Sequence, residues 1–512
     1  MNDAPRLFAF PGGLRLPGHK EPATRAPSRA CPLPPTLVLP LSQHAGRPAR
    51  ADVEPGMRVA RGQRIAHAEG LGAHLHAPAA GVVVAIEDRP VPHASGLPGP
   101  CIVIAVDAAD PAAQSMAALP DWQAREPAVL RARIEDAGIV GLGGAAFPTA
   151  GKLGRPIDLL VLNGAECEPW IACDEMLLRE RAPAVLDGGR VIARIVGARR
   201  IVLAIEDRMH GALAAARAAL GDATDIALVE VPTIYPEGGE RQLIRVLTGA
   251  EVPSGGLPAD LGVLCHNVGT AAAVADAVLR GLPLTERYVS VTGAGVADPA
   301  TFRAAIGTPI EWLVAQAGGY ADGAERLVMG GPMMGRALPT DAVPLVKGAN
   351  CVLVLTAREL RDPAPELPCI RCGECARVCP ASLLPQQLHW HLRAGDFEEV
   401  EAHALRDCIE CGLCAHVCPS HIPLVEWYRW GKTELRVQAE DRTRAAASRE
   451  RFEARKARLA REEAERAARL AARRAAAPAA TPAGAEDDPV AAALARAEAK
   501  KRAAATEDAD GA

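Results

Sequence analysis

The chain has 512 residues, 49% apolar and 23% charged, with a formal net charge of −5; this supplies several hydrophobic cores and excludes a wholly disordered chain, a collagen or a coiled-coil rod. With no global basic charge and only 3% aromatic residues, neither phosphate attraction nor base stacking is provided for, and no nucleic-acid partner is expected. No apolar run approaches the roughly 18 residues of a membrane span, and the start, MNDAPRLFAFPGGLRLPGHK, lacks a signal-peptide stretch, so the expectation is a cytosolic chain without a direct transmembrane span.

Residues 1–35 are rich in Pro and Gly and read as an extended lead-in. From 36 to 110, short apolar runs (Thr36–Leu41, Val82–Ile86, Cys101–Val106) alternate with turn signals at 54–56, 60–62 and 78–81, which predicts a small all-β domain. The stretch GMRVARGQRIAHAEGLGAHLHAPAAGVVVAI resembles a barrel-sandwich hybrid of the biotinyl/lipoyl type. No lysine lies between Glu21 and Ala150, so no lipoyl or biotinyl arm can be attached, and the unit is expected to be structural.

Residues 115–285 read as α/β. Strands are predicted in DLLVLNGAE (158–166), RIVLAIED (200–207) and IALVEV (226–231), and helices in 127–140, 183–197, 210–221, 242–249 and 270–281. Such alternation implies a mostly parallel sheet covered on both faces, with ligands beyond the carboxyl ends of its strands. Residues 286–356, with RYVSVTGAG, PIEWLVAQAGG, RLVMGGPMMG and NCVLVLT, suggest a compact α+β module. Residues 363–432 hold a cysteine module. From 433 to 512, Ala, Arg and Glu dominate without a core-forming stripe, and PAATPAGAEDDP (478–489) interrupts the run. This predicts a solvated helical tail, partly disordered.

Eight of the fourteen cysteines fall between 369 and 418; Cys31, Cys101, Cys167, Cys173, Cys265 and Cys351 are scattered. CIRCGECARVCP (369–380) and CIECGLCAHVCP (408–419) each read C-x-x-C-x-x-C-x-x-x-C-P, the spacing of bacterial two-cluster ferredoxins. In that spacing the fourth cysteine of each run ligates the other cluster. Cys369, Cys372, Cys375 and Cys418 are therefore expected on one 4Fe–4S cluster, and Cys408, Cys411, Cys414 and Cys379 on the second. Zinc sites come as paired C-x-x-C units and lack the third cysteine and trailing Cys-Pro. Ile370 and Ile409 limit solvent access, while Gly373 and Gly412 let backbone N–H groups approach the sulfurs. Two adjacent clusters suit an electron wire, whereas a sensor needs one. Between the runs, LPQQLHWHLRAGDFEEVEAHA predicts a helix, a turn at Ala394–Asp396 and another helix.

A second constellation lies upstream. GLGGAAFPTAGKL (141–153) offers Gly141, Gly143 and Gly144 for backbone approach to a phosphate, and Lys152 for a point charge. Lysines are scarce, seven against fifty arginines, so one in this place is notable. LNGAECEPW (162–170) follows a strand and presents Asn163, Glu166 and Glu168, suited to ribose or ribityl hydroxyls or to flavin-ring nitrogens. On the residues alone, a glycine-rich turn followed by a solvated acidic loop remains equally open.

GxGGxxFPTxxK followed by NxxExEP resembles the flavin subunit of respiratory complex I and related NADH-oxidising subunits. With NGAECEPWIACD (163–174), the doubled cysteine motif downstream and the β unit upstream, the order of domains over 1–432 is similar to that of the C subunits of Rnf-type (also Rsx) ion-translocating oxidoreductase complexes. The tail segment DPVAAALARAEAKK also resembles the Ala/Lys-rich tails of some members. The resemblance implies noncovalent FMN and hydride acceptance from NADH in the α/β domain, and a β-grasp-like module at 286–356. It implies that Gly141, Gly143, Gly144 and Lys152 cradle the flavin phosphate, that Asn163, Glu166 and Glu168 contact FMN or nicotinamide, that Phe147 packs on the nucleotide and that Asn267, in HNVGT, is a further flavin contact. Tyr235, Gly238 and Glu240 of YPEGGE are additional candidates. It implies as partners the other subunits of a membrane complex, among them an iron–sulfur subunit, on the cytoplasmic side of a bacterial inner membrane. Leu142 replaces the arginine that complex I has after its first glycine, and Ala165 replaces its acidic residue. Cys167 and Cys173 lack a triplet pattern and read as ordinary thiols. Two other classes stay open: an iron–sulfur wire without flavin, and a subunit of a soluble flavin-dependent bifurcating dehydrogenase.

Overall fold

In the computed structural model, residues 6–93, 95–107, 109, 111–360, 365–477 and 489–507 are described. The chain separates into one compact unit through Glu434 and a second from Leu435 onward.

The first unit begins with two small sheets. Thr36–Pro40, Gly99–Val106, Gly81–Arg89 and Arg58–Val59 form an antiparallel four-stranded sheet, and Arg50–Ala51, Arg64–His67 and Leu75–His76 a three-stranded one. Alternating residues point inward, as the period of a strand requires: Leu37, Leu39, Ile65, Leu75, Ile102 and Ile104 are fully buried.

The α/β part carries four strands, all parallel, in the order Ile226–Val231, Arg200–Glu206, Leu159–Gly164 and Val263–Asn267. Covered by helices on both faces, the central strand is a continuous apolar run, Leu159 to Leu162, all buried. The long helix Cys173–Val196 is interrupted by non-helical backbone at Arg181, two residues before Pro183, and ends on left-handed Gly197. The chain first builds strands to one side of Leu159–Gly164 and then returns to add Val263–Asn267 on the other. The switch point, where such sheets bind ligands, thus lies between these two strands.

A six-stranded mixed sheet follows, ordered Arg29–Ala30, Ala300–Ala305, Glu286–Thr292, Cys351–Thr356, Ala324–Met329 and Arg336–Ala337. Helix Ile310–Gln316 buries Ile310, Leu313 and Val314 against Val289, Val291, Phe302, Val352 and Val354. The first strand comes from the segment read as a lead-in: after helix Glu21–Thr24, Arg29 and Ala30 pair parallel with Phe302 and Arg303. A strand of two residues is too short to give a signal in the sequence.

The cysteine module contains helices Glu374–Arg377, Pro385–Ala394, Phe397–Ala402 and Leu413–His416. A 52-residue helix, Leu424–Ala475, starts in the module and continues into the second unit, where residues 449–477 are exposed throughout. A further helix spans Pro489–Glu507. The interruption expected at 478–489 lies almost wholly outside the described residues. Among those residues, no helix is long and apolar enough to cross a membrane.

Candidate functional site

Asn163 and Asn267 lie at the ends of the two strands of the switch point and stand in register with each other. The Asn267 side chain caps helix Val268–Leu279: its Oδ1 accepts from Gly269 N at 2.8 Å, while its Nδ2 donates to Asp174 Oδ2 at 2.6 Å. Asn163 is used at both ends, donating to Gly238 O (2.9 Å) and accepting from Ala165 N (3.0 Å).

The glycine loop lies against this point. Gly141 N donates to Phe147 O, Leu142 N donates to Thr270 Oγ1, and the space beside the Gly143 Cα is bounded by the Asn267 side chain. Gly144 has φ +110° and open space around it, a backbone conformation that glycine adopts freely. From the six-stranded sheet side, two buried basic side chains pin the loop and the turn just before it. Arg287 donates to Leu142 O at 3.1 Å and also to Lys347 O; Lys347 Nζ donates to Gly138 O (2.7 Å) and His74 O (2.6 Å). Burial pulls the Lys347 amine down to about 7. Phe147 packs near Gly151, and Lys152 is engaged by Glu240 at 2.9 Å. A glycine turn with one open left-handed position, beside a capped helix N-terminus, is a cradle that a flavin phosphate fits.

The acidic loop 165–169 divides its labour. The buried Glu166 carboxylate accepts from Asp174 N (2.9 Å) and Glu175 N (3.3 Å), satisfying the first turn of helix Cys173–Val196. Lys20 reaches it from the N-terminal segment, its Nζ 3.7 Å from Oε2 and donating to the Glu166 carbonyl. Burial opposes the charged amine, but Glu166, Glu206 and Glu175 outweigh it and hold Lys20 above its ordinary value. Asp174 is pushed up to about 7 by burial and by Glu166. Glu168 faces elsewhere: its Oε1 accepts from Met333 N (2.8 Å) and Met334 N (2.9 Å) of the loop after strand Ala324–Met329.

The eight cysteines gather into two groups. Cys369, Cys372, Cys375 and Cys418 line a cavity of about 290 Å³ together with Gln386, Trp390 and Ser420. Cys379, Cys408, Cys411 and Cys414 line a smaller hollow with Leu388, Val425 and Tyr428. The backbone repeats with the sequence: Arg371 and Glu410 both have left-handed φ (58° and 57°), as do Gly373 and Gly412. Such turns aim successive N–H groups at one centre, a concavity suited to an anionic cluster. Burial pushes the Cys411 thiol up to about 12, with Cys408 and Cys379 adding repulsion. Thiols so placed ionise against bound metal, and the donor sets fit 4Fe–4S groups. The two groups differ in exposure: Cys411 and Cys414 are buried, whereas Cys372 is exposed and Ile370, expected to limit solvent access, is itself 68% exposed and does not shield its loop.

The buried group abuts the flavin cradle domain. Tyr235 OH donates to Cys411 O at 2.7 Å, Arg241 pairs with Asp407 at 3.1 Å, and Gln242 donates to Pro380 O at 3.3 Å. Sequence reasoning missed Lys20, Asp174, Arg287, Lys347 and Met333. For the lysines a signal existed, since Lys20 and Lys347 are two of only seven.

A glycine-loop cradle on a parallel sheet, joined to a doubled cysteine module, puts the chain in the class of flavin-binding iron–sulfur proteins. Residues 134–276 match the Nuo51 FMN-binding domain, 8–109 the RnfC barrel sandwich hybrid domain, 288–337 the SLBB domain and 368–422 the 4Fe-4S dicluster domain. The chain belongs to the RnfC family, the C subunits of ion-translocating oxidoreductase complexes. The Pseudomonas aeruginosa member is 52% identical over 511 residues, covering 97% of this chain and 66% of its own length. Those of Erwinia tasmaniensis (47%, covering 91% of this chain) and Salmonella arizonae (43%, covering 97%) are similar, over 58% and 73% of their own lengths. The chain thus spans roughly three fifths to three quarters of the length of these relatives.

Proposed function

We propose that this chain is the electron-transfer subunit of a membrane-bound ion-translocating oxidoreductase complex, passing electrons between NADH and partner subunits through FMN and two 4Fe–4S clusters. A nicotinamide gives two electrons as hydride and a cubane takes one, so a flavin bound at the glycine loop would supply the conversion between them. Gly141, Gly143, Gly144 and Asn267 would hold the phosphate end, with Lys152 near its Glu240 partner. Glu166, Lys20 and Asp174 set the charge of the crevice where the ring would lie. Asn163 orders the acidic loop through Gly238 O and Ala165 N, and Phe147 would pack on the nucleotide. No general acid or base is required of the chain.

Cys379, Cys408, Cys411 and Cys414 would hold the inner cluster, and Cys369, Cys372, Cys375 and Cys418 the outer one. The single observation that carries this order is the 2.7 Å hydrogen bond from Tyr235, in the flavin domain, to the Cys411 carbonyl. The exposed Cys372 marks the exit toward a partner iron–sulfur subunit. The unit at 286–356 is β-grasp-like, and the chain sits peripherally on the cytoplasmic face of a bacterial inner membrane. Anaerobic addition of NADH to the chain with its cofactors bound tests the reading: the flavin absorbance bleaches. If it does not, hydride acceptance is wrong. Acid extraction that releases no yellow chromophore would favour an iron–sulfur wire without flavin.

A further inference from the structure

Glu168 belongs to the acidic loop that the family resemblance assigns to nucleotide contacts, yet its carboxylate accepts two backbone hydrogen bonds from the loop Gly330–Gly335. That loop, GGPMMG, is folded on itself, with Gly335 N donating to Gly331 O at 2.9 Å, and tied to its own sheet through Gly330 N to Cys351 O at 2.8 Å. A Cβ on Gly331 would lie 2.2 Å from Glu168 Cγ, so only glycine admits the carboxylate. Met333, at the tip, rests on the inner cysteine loop: a Cβ on Gly412 would lie 2.7 Å from Met333 O and 3.5 Å from its Cε. Tyr235 completes the junction. The residue is 2% exposed and its hydroxyl donates to Cys411 O. Met333 thus packs in one apolar cluster with Tyr235, Val378, Cys411 and Leu413. At the outer group, by contrast, Cys372 and Ile370 are exposed.

We propose that the Gly330–Gly335 loop, latched by Glu168 and Tyr235, is a cover that excludes water from the inner cluster and so sets its potential and oxygen tolerance apart from those of the outer one. Glu168 and Tyr235 are positioning residues, acting through Met333 and the Cys411 loop. The proposal rests on the two-cluster reading above. The physical basis is that the apolar shell around a metal site governs solvent access, and with it redox potential.

The test uses the full chain purified anaerobically with both clusters, exposed to air while cluster absorbance is followed. Wild-type protein bleaches in two phases, fast for the outer cluster and slow for the inner. Met333→Ala and Glu168→Ala accelerate the slow phase by on the order of tenfold and leave the fast phase alone. Ile370→Ala, at a position already exposed, leaves both phases unchanged. Tyr235→Phe, which keeps the ring and removes only the hydroxyl, shifts the midpoint potential of the inner cluster's EPR signal and not that of the outer. An unchanged slow phase in both cover variants, or equal acceleration of both phases, overturns the cover. A wild-type chain that loads only one cluster overturns the relay beneath it as well, and iron analysis separates the two failures.

Discussion

Lys20 and Glu166 stand 146 positions apart in the chain and form a largely enclosed ion pair, Nζ 3.7 Å from Oε2. The pair ties the N-terminal segment to the first turn of helix Cys173–Val196 and so to Asp174 and Asn267. Removing one partner leaves a buried charge uncompensated, which is worse than removing both. Lys20→Met is therefore expected to lower the stability of the first unit by about 3 kcal/mol in denaturant unfolding, while Lys20→Met with Glu166→Gln recovers part of the loss. A double variant no better than the sum of the singles would refute the pairing.

Stability also carries a pH signature. Burial pushes Glu206 up to about 7 and Glu237 up to about 8, and Asp174 behaves likewise. Around Glu206 stand Lys20, which opposes the rise, and Glu166 and Asp207, which reinforce it. Between the ordinary carboxyl value and these raised values, the folded chain keeps protons that the unfolded chain has released. Stability therefore falls as pH rises from 5 to 7, by at most about 1.4 kcal/mol per pH unit for each carboxyl. Glu206→Gln should make the slope shallower in thermal melts across that range. An unaltered slope would show that Glu206 ionises normally.

Arg287 and Lys347 come from the six-stranded sheet and the loop before its strand Cys351–Thr356, yet Arg287 holds the glycine loop through Leu142 O and Lys347 the turn before it through Gly138 O. A hydrogen bond to a charged group contributes about 1.5–3 kcal/mol, so Arg287→Gln is expected to weaken FMN affinity by on the order of tenfold or more. Flavin fluorescence on release measures this; unchanged affinity would mean that the loop holds its shape without the cation.

The cysteine module is the most legible part of the sequence, because eight ligand positions at fixed spacing leave one reading, and the two groups form with the partners that spacing implies. Three of the four parallel strands are legible too, as apolar runs between helical periods, whereas Val263–Asn267, the strand that makes the switch point, is not predicted from the sequence. Arg29–Ala30 is not, since its pairing is decided by the distant strand Ala300–Ala305. The roles within 163–168 are the least legible. Glu166 and Glu168 are two residues apart and chemically identical, but one caps a helix and the other reaches the Met333 loop, a difference made by what the fold brings to each. Lys20 lies outside every motif, and only its rarity marks it.

The order of the relay gives a fourth prediction. Cys372→Ala removes a ligand of the outer group, and Cys411→Ala one of the inner. After anaerobic NADH, the Cys372 variant should still reduce its inner cluster, whereas the Cys411 variant should leave the outer cluster oxidised on the timescale of wild-type reduction. EPR spectra of the two variants distinguish the signals. Rapid outer-cluster reduction without the inner one would reverse the proposed order.

The central claim is that one polypeptide joins a flavin to two cubane clusters. Its most direct test is the cofactor content of the anaerobically purified chain. One acid-extractable FMN and about eight irons per chain are expected; markedly fewer irons, or no released flavin, would contradict the claim.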